Sequence, residues 1–446
     1  MSKKRRFVHK RPQKIKKSDY FCAVKLKDMK QRIAFFLCLI FLFSAQSRGQ
    51  ATWNLTSTMK ATYDNHILRI STSANAEAMP DNTHPWSEYR TSINSIIIED
   101  KVTSIGNNAF ENHGRVTSVT IPNTVTSIGR SAFHLCTKLN DITIPNAVTT
   151  IEDRAFYDCW GLTSISIPGS VKKFGERIFG GCNKLTSVTL QEGAPHIENG
   201  MFYECKSLTT VNMPNSIEYI GNQAFYRCHQ LSSIVIPEGV TGIGLESFSY
   251  CIELESVVLP NTLEVIGTRA FNCCYKLSTV NFPENLKLIG NFSFYQCKGL
   301  TSISIPKSVQ QIYDEAFRGC ESLENVSISA KIIGNSSFVN CDNLKTIYIN
   351  DGVDTIQYRA FYCTSTPKMV DIVEIAPSVK SIGRVAFSRV KDIHVHWDSP
   401  ITLNSICNSQ GAIVDRYNEA TLHVPKGTLD AYKNSPYWSC YKDYKE

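Results

Sequence analysis

From Val102 onward, apolar residues recur in a fixed order. A Val-x-x-Ile-Gly stretch leads into Ala-Phe-x-x-Cys, then Leu-x-x-Ile-x-Ile-Pro, and the unit begins again. One copy runs from Val125 to Pro145, with Ile128, Phe133, Cys136, Leu139, Ile142 and Ile144 at its apolar positions. The phenylalanines mark the period. Phe110, Phe133 and Phe156 open a series that reaches Phe317 in steps of 23 residues, and Phe338, Phe361 and Phe387 extend it by steps of 21, 23 and 26. About thirteen units at one period are the signature of a solenoid, in which no unit can bury its apolar side without a neighbour.

Each part of the unit predicts an element. The Ile-x-Ile alternation has the period of a strand, so Ile142 and Ile144 face inward and Thr143 outward. The proline that follows has no N–H and ends the strand. Val-x-x-Ile-Gly is expected to cross to the opposite wall, with Gly129, Gly221 and Gly267 supplying a backbone turn closed to other residues. Ala-Phe-x-x-Cys is expected to form a short turn or helical turn with Phe as the core plug. Burying each Phe stabilises by roughly 1.5–3 kcal/mol. The fold class is therefore a leucine-rich-repeat solenoid, mainly β with short helical turns.

The flanks depart from the repeat and divide the chain into residues 1–51, a basic leader and signal peptide; 52–101, an N-terminal cap; 102–397, the solenoid; and 398–446, a C-terminal cap. In the leader a basic stretch ending at Lys30 and Arg32 precedes an apolar run from Ile33 to Phe43. That run is too short to span a bilayer and suits a signal peptide. Met29 also offers an alternative start to Met1. Cys38 sits inside the run without the small residue that a lipoprotein signal needs before its cysteine. In the first cap, Trp53-Asn-Leu55, Leu68-Arg-Ile70 and Ile96-Ile97-Ile98 read as short strands. In the second, Gly427 to Tyr432 reads as a terminal helix.

The unit Val-x-x-Ile-Gly-x-x-Ala-Phe-x-x-Cys-x-x-Leu-x-x-Ile-x-Ile-Pro resembles the BspA-like (treponemal-type) leucine-rich repeat. The stretch from Ala78-Met79-Pro80 to Pro85-Trp86 and that from Val424-Pro425-Lys426-Gly427 to Tyr437-Trp438 are similar to the ends of that family's proteins. The resemblance covers nearly everything after residue 52. It implies a bacterial protein, secreted or on the cell surface, tied to adhesion to host matrix proteins, host cells or other bacteria. The family's pattern defines a core and supplies no binding residues to carry over.

Charge changes one part of the picture. The chain of 446 residues carries a net charge of +7. Residues 1–51 hold 14 Lys/Arg against Asp19 and Asp28, a local +12 that leaves −5 for the remainder. The body is mildly acidic, which removes the case for nucleic acid. The sequence contains no G-x-S-x-G, H-E-x-x-H or phosphate-binding glycine loop, so we expect a binding protein without cofactor rather than an enzyme.

Four features are candidates for chemistry. Ten cysteines lie three residues after the ladder Phe, from Cys136 to Cys341. A column of parallel side chains cannot pair in disulfides, so these are expected to be buried free thiols. Only Cys407 and Cys440, in the C-terminal cap, are candidates for a bridge. The outward strand positions are mostly Ser, Thr and Asn, interrupted by Val235, Val258 and Tyr348, which would anchor an extracellular protein partner on a host matrix or cell surface. Tyr157, Tyr203, Tyr226, Tyr295 and Tyr362 follow the ladder Phe directly, with Tyr250 one place later. They line one edge, either stacking on each other or offering a platform to a glycan. His394, His396 and His423 occupy outward positions and converge if their strands are neighbours, a weak metal candidate.

Overall fold

The computed structural model describes residues 49–364, 368–403, 414 and 419–446. Residues 1–48 of the leader, with its signal-peptide reading, and Cys407 lie outside these residues. Ala51–Glu446 forms one compact unit. It is a parallel β-solenoid of about 15 turns with little helix.

Each turn contributes to three walls. The first is the strand face, where Ser164–Ile167, Ser187–Leu190 and Thr210–Asn212 pair in parallel with Ser164, Ser187 and Thr210 in one row. The second wall is a set of two-residue strands, such as Tyr219–Ile220, Gly242–Ile243 and Val265–Ile266, each paired to the next. Alternation dictates burial: along Ser302–Ile305 the serines are exposed and Ile303 and Ile305 buried. More turns stack than the repeat alone marks. Ile67–Thr72, Ser95–Ile98, Thr421–His423 and Asp443–Lys445 join the first wall in parallel register although their sequences leave the pattern. At the start, Ala51–Asn54, Met59–Asp64 and Ile67–Thr72 pair antiparallel as a meander. At the other end Leu429–Asn434 is a short α-helix, and its Tyr432 hydroxyl donates to the Trp397 carbonyl.

The third wall contains the Ala-Phe-x-x-Cys stretch and is built of turns, not helix. The N–H groups of Ser131, Phe133 and Leu135 donate to the carbonyls of Asp153, Ala155 and Tyr157 in the following turn. The same bonds recur along the stack, for example Phe110 to Ala132 and Phe202 to Ala224. This geometry needs a left-handed residue two places before and two places after the phenylalanine. Those places fall on Arg154 (φ 54°) and Asp158 (φ 57°), Gln223 (φ 55°) and Arg227 (φ 58°). Most are not glycine. The strain this implies is met by the ladder bonds that fix each turn against the next.

The glycines serve a different purpose from the one expected. Gly129, Gly221 and Gly267 are not among the left-handed residues. A Cβ on Gly267 would instead meet the Ile243 carbonyl oxygen at 2.7 Å, and one on Gly129 the Ile105 carbonyl oxygen at 2.8 Å. They permit close stacking of successive turns. Inside, the phenylalanines form one continuous stack from Trp86 and Phe110 to Phe387. Ring centroids lie 5.2 Å apart for Phe133–Phe156 and 5.1 Å for Phe294–Phe317, nearly parallel in both cases.

Candidate functional site

The cysteine column is chemically quiet. Twelve described cysteines are free and buried, including Cys273 and Cys363 outside the ten of the repeat. Each ladder thiol donates to the carbonyl of the ladder Phe one turn earlier, as Cys159 to Phe133 at 3.2 Å and Cys228 to Phe202 at 3.3 Å. Burial pushes the Cys136 thiol up to about 12. A buried, protonated, hydrogen-bonded thiol is a poor nucleophile and a poor metal ligand. Cys440 is disulfide-bonded, while Cys407 lies outside the described residues.

The tyrosine edge is occupied by its own members. Tyr203 and Tyr226 stack at 5.1 Å, and Tyr250 meets Tyr226 edge-on at 5.8 Å. Guanidinium groups cover further ring faces: Arg177 over Tyr203, Arg227 over Tyr226 and Tyr250, Arg154 over Tyr157, and Arg359 over Tyr362. Phe292 lies against Tyr295 at 5.9 Å. All of these tyrosines are half-buried. Glu204 bonds Arg227 at 3.1 Å, which balances that one cation locally. The sequence contains the arginines, but nothing in one unit announces that Arg177 reaches Tyr203, or Arg227 reaches Tyr250, in the following turn.

On the strand face Val235 and Val258 are in register, side by side, and 63% and 55% exposed. Tyr348 is 41% exposed and pairs with Ser327 on one side and Glu374 on the other. The two valines thus form one contiguous apolar point, and Tyr348 lies several turns further on. A row of residues missed by sequence reasoning is the side chain two places after the second-wall Ile, as in Ile151 to Asp153, Ile197 to Asn199 and Ile220 to Asn222. Asn222 Oδ1 accepts the Leu245 N–H at 2.7 Å, Asn199 Oδ1 the Asn222 N–H at 2.8 Å, and Asp153 Oδ1 the Glu176 N–H at 2.9 Å. The recurring Asn or Asp two places after that Ile was visible; the inter-turn bond it makes was not.

The histidines come together as expected if their strands were neighbours, which they are. His394 and His423 pair in register and their rings stack at 4.1 Å. Carboxylates accompany them: Glu374 bonds His396 at 2.9 Å and lies 3.5 Å from His394, and Asp392 bonds His423 at 2.8 Å. Burial lowers the pKa of His394, the Glu374 carboxylate opposes this, and His423 adds to it. Glu374 thus serves two histidines and Asp392 the third. Among the described residues no group of three or more His, Cys, Asp or Glu is arranged to hold a metal ion. Nor is any described helix long and apolar enough to cross a membrane.

Comparison with known proteins adds the following. The model of the BspA type leucine rich repeat region matches six copies here, over residues 87–193, 149–278 and 264–394, more than half of the chain. No curated protein matches. Among solved structures, a leucine-rich repeat protein from Bacteroides ovatus is 22% identical, covering 73% of this chain and 95% of its own, with a TM-score of 0.43. A leucine rich cell surface protein from Faecalibacterium prausnitzii is 27% identical, covering 67% and 94%, with a TM-score of 0.40. The pneumococcal vaccine antigen PcpA is 17% identical, covering 90% and 99%, with a TM-score of 0.39.

Proposed function

The chain belongs to the family of proteins built from BspA-type leucine-rich repeats, and from that premise we propose that it is a secreted or cell-surface adhesin or host-interaction module. Members of this family are bacterial surface proteins, and leucine-rich-repeat domains typically bind proteins. The partner in this reading is an extracellular protein, held by the outward strand face. The observation that carries the reading is the Val235–Val258 pair, two apolar side chains in register and exposed between the strands Thr210–Asn212 and Ser302–Ile305, whose outward side chains are hydroxyls and amides. An isolated exposed valine is ordinary; two side by side on the open strand face have the character of a binding anchor surrounded by a polar rim.

The strand face is favoured over the tyrosine edge as the seat of binding. The faces of Tyr203, Tyr226 and Tyr362 that a sugar ring would use are already taken by neighbouring rings and guanidinium groups. The test is binding of the purified chain to immobilised host matrix proteins and mucins, beside the variant Val235→Asp with Val258→Asp. Saturable binding that drops by about tenfold or more in the double variant is expected. Equal binding by both proteins would remove the strand face from consideration.

A further inference from the structure

The strand face is not a uniform sheet, and its largest interruption has a residue-level cause. Ser256–Val258 and Ser302–Ile305 are strands, but the turn between them, residues 279–282, contributes only a single bridge from Thr279 to Ser256. At this level Phe282 replaces the inward Ile of the repeat. Its buried ring packs perpendicular to Phe294 at 5.5 Å and to Phe317 at 6.1 Å. Pro283 follows it and has no N–H to give. The second wall is unbroken at the same height, since Val265–Ile266, Leu288–Ile289 and Gln311–Ile312 pair in order. A larger plug behind one wall, with the other wall held, opens the strand face locally.

The opening is a pocket of about 450 Å³. Its lining includes Asn281, Ser302, Ser304, Asn325 and Ser327, with buried Phe282 at its floor and Tyr348 as its exposed aromatic member. Two of these side chains are held from the next turn. The Asn350 amide donates to Ser327 Oγ at 2.9 Å, and the Thr346 hydroxyl donates to Asn325 Oδ1 at 2.6 Å. The lining contains one carboxylate, Glu284, and no Lys, Arg or His.

We propose that this pocket is a subsite for a neutral sugar, of the size of a mono- or disaccharide. The volume lies in the range of small-ligand sites. A sugar hydroxyl both donates and accepts, and so do serine hydroxyls and asparagine amides, so the lining can satisfy a ring of hydroxyls without a charge. Tyr348 offers an exposed aromatic face to the C–H side of a pyranose. The absence of a lining cation, with Glu284 present, excludes sialylated and sulfated glycans, whose anionic groups would meet no counter-charge. The site is distinct from the tyrosine edge, and it stands whether or not Val235 and Val258 bind a protein.

The test uses the purified chain with a panel of neutral disaccharides, namely lactose, maltose, cellobiose and N,N′-diacetylchitobiose, beside 3′-sialyllactose and a heparin disaccharide. Binding is read by saturation-transfer NMR and by calorimetry. Tyr348 and Asn281 are exposed, so Tyr348→Ala and Asn281→Ala leave the core intact, which a thermal melt verifies. The expected result is binding of at least one neutral sugar, weakened about tenfold in each variant and retained in Tyr348→Phe. Val235→Asp with Val258→Asp, which tests the protein-binding reading, leaves sugar binding unchanged. Three results would overturn the proposal: no neutral sugar bound at concentrations of about 10 mM, preference for the anionic sugars, or loss of binding in Tyr203→Ala with Tyr348→Ala unaffected.

Discussion

At the scale of the residue, the repeat assigns one physical task to each position, and the exceptions are informative. The thiol of each ladder cysteine supplies a small apolar volume and a weak donor to a buried carbonyl, tasks that alanine fills only in part. His113 is an exception of another kind. It is buried, its ring meets Phe110 edge-on, and Nδ1 lies 3.0 Å from the Glu111 carbonyl oxygen. A carbonyl can only accept, so Nδ1 carries the proton and Nε2, buried without a partner, is bare. Burial lowers the pKa of His113; the backbone carbonyls of Glu111 and Phe110 oppose this, and the cationic groups of His84 and Arg90 reinforce it. A histidine whose folded pKa lies below its ordinary 6.5 takes up its proton more readily when the chain unfolds. Its stabilising contribution is therefore complete above about pH 6.5 and is lost as the pH falls through the lowered folded value. His394 has the same sign. Thermal melts from about pH 7.5 to 5 should show a falling Tm, with a shallower fall in His113→Gln and a still shallower one when His394→Gln is added. An acid slope identical in wild type and both variants would locate the titrating groups elsewhere.

At the scale of the element, the strands and the phenylalanine stack were legible in the sequence because period 2 and period 23 are carried by side-chain type. Ile142 and Ile144 are buried as their alternation requires, and Phe110 through Phe387 form one stack. The turn wall was legible only as a position. Most of its left-handed residues are not glycine, Arg154, Gln223 and Glu315 among them, so composition gives little sign of them; they are imposed by hydrogen bonds to the following turn. The glycines pointed to special backbone, yet what they relieve is contact with the preceding turn. Candidate surfaces were legible to a similar degree. Val235, Val258 and Tyr348 stand out by side-chain type, whereas the pocket beside Tyr348 depends on what a single Phe for Ile exchange at position 282 does to wall geometry. The asparagine row gives a prediction at this scale. Asn222→Ala removes the acceptor for the Leu245 N–H, and because Asn222 is exposed, water replaces part of the bond. The expected cost is about 0.5–1 kcal/mol, nearly restored in Asn222→Asp, which keeps the acceptor oxygen. Chemical denaturation reads both, and an alanine variant as stable as wild type would show that the row is incidental to stability.

At the scale of the whole molecule, stability is a sum over turns and the interfaces between them, so the weakest interface decides whether the stack unfolds as one unit. The breaks in the two walls are staggered except at one interface. The strand face loses continuity after Ile142, after Asn212 and around residues 279–282, whereas the second wall loses it between Phe174 and Tyr219, where Ile197 makes a single bridge. Between the turns of Phe202 and Phe225 the strand face is unpaired and the second wall keeps only the Ile197–Ile220 bridge, so there the turn-wall bonds and the phenylalanine stack carry the contact. The level of residues 279–282 is held chiefly by the second wall and by the cluster of Phe282, Phe294 and Phe317. Phe294→Ala should therefore do two things at once. It removes a buried ring, at a cost of about 3–5 kcal/mol, and it deprives the interrupted level of the contact that couples the turns before it to those after it. Phe338→Ala removes a ring of the same size where both walls are paired, through Asn325–Ile328 with Thr346–Ile349 and Ile332–Ile333 with Thr355–Ile356. Calorimetry of the two variants should show a single transition at lower temperature for Phe338→Ala and two resolved transitions for Phe294→Ala. Hydrogen exchange in the second variant should show the turns up to residue 258 and those from residue 302 onward opening separately. A single transition in both variants would mean that the second wall alone couples the stack across the break, and the opening in the strand face would then be a local feature without consequence for cooperativity.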